Sequence, residues 1–198
     1  MNPTLNYDTN GLISAIVQDA RTQQVLMLGY MNETTLRQTI DTGIVTFYSR
    51  SRQEIWVKGA TSGNYLRLVS WLADCDKDAL LITAIPDGPT CHTGAVSCFE
   101  AQPLSGLGVL AQLEQTIQDR FTTPKEGSYI QSLIEKGLPK IAQKVGEEGV
   151  EVVIEAMRNE PHLFLEESAD LLFHYLILLR AKGVELNEVL EILKGRMG

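Results

Sequence analysis

The stretch Trp71-Leu72-Ala73-Asp74-Cys75-Asp76-Lys77-Asp78-Ala79-Leu80-Leu81-Ile82-Thr83 sets three carboxylates and a thiol inside an apolar run. The apolar flanks read as strand, and successive side chains on a strand point to opposite faces. On that reading Asp74, Asp76 and Asp78 line one face, while Cys75 and Lys77 point to the other. Three carboxylates sharing a buried face repel one another and require a cation or deep hydration. Hard divalent ions such as Mg2+ take oxygen ligands of this kind. Cys75, on the opposite face, suits a softer ion such as zinc, and the other two cysteines, Cys91 and Cys98, follow shortly after. The expectation is two metal sites back to back, with three thiolates leaving the fourth position of a tetrahedral zinc open, as in catalytic zinc sites. Taken singly, an acidic cluster is more often a solvated loop and an intracellular cysteine more often a buried thiol. The coincidence of both favours metal.

Working outward, the first half alternates short strands with little helix. Strands are predicted at 12–19, 25–29, 45–49, 54–58, 66–73 and 79–85, with a helix between an Asn32 N-cap and Gly43. The connections are too short for parallel crossovers, so the fold class is α+β with a mostly antiparallel sheet. Asp87-Gly88-Pro89 reads as a turn ahead of Cys91. Two polar connectors, Ser49-Arg50-Ser51-Arg52 and Lys58-Gly59-Ala60-Thr61-Ser62-Gly63-Asn64, combine hydroxyls, glycines and cations. A phosphate needs such groups, although ordinary hairpin turns carry them too.

Composition changes near residues 102–108. All three cysteines and both tryptophans precede that segment, and helical spacing rich in Leu, Glu, Lys and Ile follows it. Two domains are expected, 1–104 and 105–198. Hydrophobic residues make up 44% and charged residues 21% of the chain, which supports a buried core and argues against disorder. A net charge of −8 argues against nonspecific nucleic-acid binding. The odd cysteine count, the lack of a signal-peptide pattern and the lack of a membrane-length apolar run lead to an expectation of a soluble, cytoplasmic protein.

In the second half helices are predicted at 107–120, 130–136, 138–158, 161–182 and 187–194. On the third of these, Lys140, Lys144, Glu147, Glu148, Glu151 and Glu155 share an arc of about 100°. Alone, that is an ordinary solvated face. The next helix is apolar nearly all round and is expected to be central and buried, yet Glu167, Asp170 and His174 fall within an arc of about 60°. Buried carboxylates must be paired or bound to metal. Glu147, Glu148, Glu151, Glu167 and Asp170 facing one another across a helix pair would collect divalent cations, as in Mg2+-dependent pyrophosphate chemistry.

These motifs carry a resemblance. Glu147-Glu148-x-x-Glu151 followed by Glu167-x-x-Asp170 resembles the signature of the all-α nucleoside triphosphate pyrophosphohydrolases. Residues 140–151 and Glu166-Glu167-Ser168-Ala169-Asp170-Leu171-Leu172-Phe173-His174 are similar to the phosphoribosyl-ATP pyrophosphohydrolases of histidine biosynthesis. The first half resembles the phosphoribosyl-AMP cyclohydrolases through 49–52, 56–64, 74–78, Cys91-His92 and Cys98. Together they cover nearly the whole chain in the order of the bifunctional fusion. Gly149 stands where a helix-favouring Ala is expected, at some cost in helix stability.

The resemblance implies two hydrolyses. In the helical domain Glu147, Glu148, Glu151, Glu167 and Asp170 would hold Mg2+, with one of the glutamates, Glu148 or Glu151 among them, serving as base. Lys140 and Lys144 would either contact phosphate or balance the carboxylates. In the first domain water adds at purine C6 and the ring opens between N1 and C6. Zinc on Cys75, Cys91 and Cys98 would activate the water, Mg2+ would sit on Asp74, Asp76 and Asp78, and His92 would be the general acid or base. Arg50, Arg52, Lys58, Thr61, Ser62 and Asn64 would bind substrate. The family's cyclohydrolase is a homodimer whose zinc sites draw cysteines from both subunits. Two other readings compete: a nonenzymatic zinc-stabilised dimer, and a pyrophosphohydrolase of other nucleotides with a structural first domain.

Overall fold

The computed structural model describes residues 4–99, 106–158 and 160–197. The chain divides into two compact units, Met1–Val109 and Leu110–Gly198. The expected boundary at 104/105 lies outside the described residues.

The first unit is built on a four-stranded sheet in the order β2-β1-β6-β5, beside a two-stranded β3-β4 ribbon. β1 (Ile13–Asp19) shows the period-2 pattern of a half-buried strand: Ile13, Ala15 and Val17 are buried, and Ile16 faces outward. β2 (Val25–Met31) returns antiparallel to it, after a turn in which the Asp19 carboxylate accepts from the amides of Arg21 and Thr22 at 2.7 and 3.0 Å. α1 (Glu33–Thr42) starts on a capping box, Asn32 accepting from the Thr35 amide and Thr35 Oγ1 from the Asn32 amide. It stops at Gly43, whose φ of 69° places it in the left-handed region. β3 (Thr46–Ser49) and β4 (Glu54–Val57) form the ribbon, and β5 (Leu66–Ala73) pairs antiparallel with β6 (Ala79–Pro86).

Three strand pairs are antiparallel and one, β1 with β6, is parallel. The short-connection argument applies only to neighbours in sequence. The parallel pair is reached by way of every element between Asp19 and Ala79, and composition carries no signal for such a return. Val45, Phe47, Leu66 and Leu80 complete the core beneath the sheet. Phe47 lies so close to Gly29 that a side chain there would collide with its ring.

The second unit is helical: α2 (Leu107–Thr122), α3 (Tyr129–Lys136), α4 (Leu138–Ala156), α5 (Pro161–Ala181) and α6 (Leu186–Arg196). Pro139 and Pro161 sit in the first turns of α4 and α5, where no intrahelical N–H is lost. α4 and α5 run antiparallel, since Gly149 meets Leu171 and Glu148 faces His174. The core consists of Ile117, Ile130, Leu133, Ile141, Leu176 and Ile177.

One expectation is corrected here. α5 is not buried along its length: only His174, Leu176 and Ile177 are, and Leu165 is 65% exposed. The core lies against the second half of α5. The first half of α5 and the end of α4 run on past it, leaving Val150, Val153, Met157, Leu163 and Phe164 open. An all-round apolar helix announces that something covers it, not what. Among the described residues, no helix is long and apolar enough to cross a membrane.

Candidate functional sites

In the helical unit, Glu148, Glu151 and Glu167 each offer a carboxylate oxygen within 4.8 Å of the others. Glu148 and Glu151 lie one turn apart on α4, and Glu167 meets them from α5. Glu148 is buried, 3% exposed, whereas Glu151 is open to solvent. Burial alone would raise the Glu148 carboxyl, but the Lys144 ammonium on its Oε1 holds it below the ordinary value. Glu151 moves the other way: its hydrogen bond to Glu148, burial and the charges of Glu148 and Glu167 push it up. Lys144 is in turn held more firmly protonated by Glu148 and Glu147. Three carboxylates against one ammonium leave excess negative charge, and the all-oxygen donor set fits a hard divalent cation.

Glu147 and Asp170 stay outside this triad. Glu147 bonds Lys144 at 3.1 Å and Gln143 at 2.6 Å, and Lys140 lies 4.0 Å from it. Both lysines are therefore engaged with carboxylates or Gln143. The Asp170 side chain is not among the gathered carboxylates, but its main-chain carbonyl lies 2.9 Å from His174 Nδ1.

In the first unit the aspartate stretch is not strand. β5 ends at Ala73, β6 begins at Ala79, and 74–78 is the exposed turn between them, with Lys77 at a φ of 66°. Asp74 makes the turn, its Oδ1 accepting from the amides of Asp78 and Ala79 at 3.0 and 3.1 Å. Asn6 braces it, donating from Nδ2 to the Asp76 carbonyl and from its amide to that of Lys77. The alternation argument for one shared face fails, because an Asp that caps its own backbone favours a turn over a strand. The turn nevertheless gathers Asp74, Asp76 and Asp78, one oxygen of each lying within 4.8 Å of the others. The Ala79 amide lowers the Asp74 carboxyl, while the charges of Asp76 and Asp74 raise that of Asp78.

The three thiols do not form such a group among the described residues. β6, about 26 Å of strand at ~3.3 Å per residue, separates the Cys75 turn from the segment carrying Cys91. Cys98 is anchored on β2 by its amide, which donates to the Leu26 carbonyl. Buried Lys58 lies within electrostatic reach of Cys98 and Cys91; burial lowers its pKa against their opposing effect. A one-chain zinc site on all three cysteines does not fit this geometry. His92 is exposed, its Nδ1 3.7 Å from Cys91 Sγ.

Two clefts adjoin the turn side of the sheet. One, of about 340 Å3, is lined by Asn6, Tyr7, Asp8, Ser14, Tyr30 and Asp78. The other, of about 350 Å3, includes Tyr30, Ser49, Arg50, Ser51, Arg52 and Trp56. Tyr30 lines both, with the Arg50 guanidinium 3.7 Å above its ring. The substrate-binding candidates thus separate. Arg50 and Arg52 face a cleft, Lys58 faces the thiols, and Thr61 and Ser62 lie in an exposed turn. Asn64 donates to the Pro89 carbonyl at 3.1 Å. Tyr30 and Asn6 are cleft residues that no motif singles out.

Two family models match this chain in tandem: phosphoribosyl-AMP cyclohydrolase over residues 27–100 and phosphoribosyl-ATP pyrophosphohydrolase over residues 110–197. These two families in tandem, the first over an α/β unit with a mostly antiparallel sheet and the second over a helical unit, make the molecule a bifunctional hydrolase. The chain is 49% identical over 189 residues to the histidine biosynthesis bifunctional protein HisIE of Vibrio cholerae, covering 94% of this chain and 90% of that protein. It is 47% identical over 181 residues to the protein of the same name from Staphylococcus aureus, covering 91% and 85%. The chain belongs to this family of bifunctional histidine-biosynthesis proteins and serves two consecutive hydrolytic steps of that pathway. Neither the nonenzymatic dimer nor the enzyme with a structural first domain is favoured.

Proposed function

We propose that the helical unit hydrolyses phosphoribosyl-ATP to phosphoribosyl-AMP and pyrophosphate at the Glu148–Glu151–Glu167 triad. The first unit then opens the purine ring of phosphoribosyl-AMP between N1 and C6, beside the Asp74–Asp78 turn. The observation that carries this is the pair of separate all-oxygen triads, one in each matched unit.

Mg2+, when bound, would neutralise the triphosphate and acidify the attacking water. Glu148 holds its place through Lys144, and exposed Glu151 forms the edge that substrate and water approach. Glu151 is also the carboxylate whose raised pKa suits it to accept a proton. In the first unit, Arg50 and Arg52 present cations to one end of the paired clefts and Asp78 a carboxylate to the other. The cationic end fits one phosphate group of the substrate, and the carboxylate end would meet the other only through a bound divalent cation. His92, exposed beside Cys91, is assigned the proton transfer during ring opening.

We further infer a homodimer. Leu28, Ile16, Leu81 and Leu72 lie in register across all four strands of the sheet, on the face opposite the core. Leu28 and Leu72 are 46% and 63% exposed. A continuous apolar row on a solvent-facing sheet fits a second copy, and a zinc site would then take Cys75 from one chain with Cys91 and Cys98 from the other. A biosynthetic role without a membrane-crossing helix among the described residues fits a cytoplasmic location.

The test is a time course on phosphoribosyl-ATP with Mg2+ and Zn2+ supplied, following pyrophosphate and the ring-opened product separately. Pyrophosphate first and both products in sequence are expected. Neither product from folded, metal-loaded protein would sink the reading.

A further inference from the structure

His174 is nearly sealed from solvent, 4% exposed, at a point where α3, α4 and α5 meet. Its Nδ1 lies 2.9 Å from the main-chain carbonyl of Asp170, and its Nε2 lies 3.0 Å from the Tyr129 hydroxyl. A carbonyl only accepts, so Nδ1 directs its proton to Asp170, while Nε2 pairs with the Tyr129 hydroxyl. Tyr129, at the start of α3, stacks on Phe173 at 6.2 Å, and both aromatic rings stand edge-on to the imidazole. The ring is thus fixed at both nitrogens and on its flanks. Its Nδ1 faces Glu148 Oε1 at 3.7 Å, the same oxygen that Lys144 engages.

We propose that His174, held by Tyr129 and the Asp170 carbonyl, is a positioning residue for Glu148. Its Nδ1 edge backs Oε1 at 3.7 Å, in packing contact with the oxygen that Lys144 bonds, and so leaves the second carboxylate oxygen to Glu151 and Glu167. This rests on the reading of that triad as a cation site. His174 lies behind Glu148 and acts through it, not on substrate. Residues outside a ligand set that fix a ligand's orientation support metal affinity, and loss of one lowers it about 10- to 100-fold.

The test uses the full chain carrying Asp76→Asn and Asp78→Asn, so that only the helical triad reports. Mn2+ binding is titrated by electron paramagnetic resonance of the free ion, with circular dichroism as a check on folding. Glu148→Gln should abolish the binding. His174→Phe, which keeps an aromatic ring and removes the polar Nδ1 edge, should weaken it about tenfold or more, whereas His174→Asn, whose Nδ2 replaces Nδ1, should stay within about threefold of the parent. Tyr129→Phe, at a half-exposed position, should weaken it several-fold. In pyrophosphate release the same order should appear in the half-saturating Mn2+ concentration.

Parent affinity in folded His174→Phe overturns the proposal, as does a His174→Asn as weak as His174→Phe, which would make ring shape the only requirement. Should His174→Phe fail to fold, parent affinity in Tyr129→Phe overturns it instead. Binding that survives Glu148→Gln would instead remove the triad as the cation site, and the proposal with it.

Discussion

The two carboxylate triads are alike in composition and opposite in construction. The aspartates come from five consecutive residues on an exposed turn, shaped by local hydrogen bonds that Asp74 accepts and by bonds that Asn6 donates from far along the chain. The glutamates come from two helices, one of them is buried, and a lysine one turn away offsets part of their charge. A turn site is cheap to form and mobile in charge, because water screens it. A helix-pair site exists only when the two helices dock, and its burial makes each missing partner costly. The aspartates should therefore be alterable with little effect on stability, whereas the pairing of buried Glu148 with Lys144 should not.

The largest effects should be on activity, and they should be separable. Glu148→Gln is expected to reduce pyrophosphate release at least about 100-fold, with ring opening of supplied phosphoribosyl-AMP unchanged. Asp76→Asn should do the reverse. Assaying both half-reactions on both variants breaks the comparison if either variant loses both.

A smaller, thermodynamic effect separates the sites by burial. Lys144→Met leaves buried Glu148 without its cation and should cost roughly 1 to 3 kcal/mol, read from urea denaturation in the absence of metal. Asp78→Asn on the exposed turn should be neutral or slightly stabilising, because it relieves the repulsion that raises Asp78. A stability loss at Asp78 matching that at Lys144 would contradict the difference in construction.

The smallest effect sharpens the sign. Glu151 has a raised folded-state pKa, so the folded chain binds its proton more tightly than the unfolded chain. Its contribution favours folding once pH has fallen below the ordinary glutamate value, and it is lost as pH rises through the raised one. At neutral pH the ionised group opposes folding until a cation arrives. Glu151→Gln should therefore raise the Tm of metal-free protein slightly, flatten the gain on acidification across that window, and lose most of the Tm increase that Mg2+ gives the parent. Scans at two pH values, with chelator and with Mg2+, check all three. A lower metal-free Tm at neutral pH would reverse the assigned sign.

Much of this was written in local pattern. Period-2 burial in β1, the Asn32 cap, Gly43 and the two helix-starting prolines placed the elements within a few residues of where they stand, because each rests on a backbone preference acting over one or two turns. The aspartates met as expected, though on a turn: spacing kept them close, while the capping tendency of Asp74 decided the backbone. Of the five expected glutamate-site carboxylates, Glu148, Glu151 and Glu167 are gathered, while Glu147 points to Lys144 and Gln143. A helical-wheel arc of 100° is too coarse to separate Glu147 from Glu148, and only docking against α5 does so.

By itself the sequence determined the two-unit order, nearly every element, the chemistry of the donors and the resemblance to a cyclohydrolase joined to a pyrophosphohydrolase. Tertiary structure alone decided the parallel pairing of β1 with β6, the wide separation of the Cys75 turn from the Cys91 segment, the junction of Tyr30 with Arg50, and the fixing of His174 by Tyr129 behind Glu148. The physical reason is range. Propensity, capping and periodicity act between residues a few positions apart, whereas these contacts join segments far apart in sequence, and nothing short of packing the chain specifies which will meet.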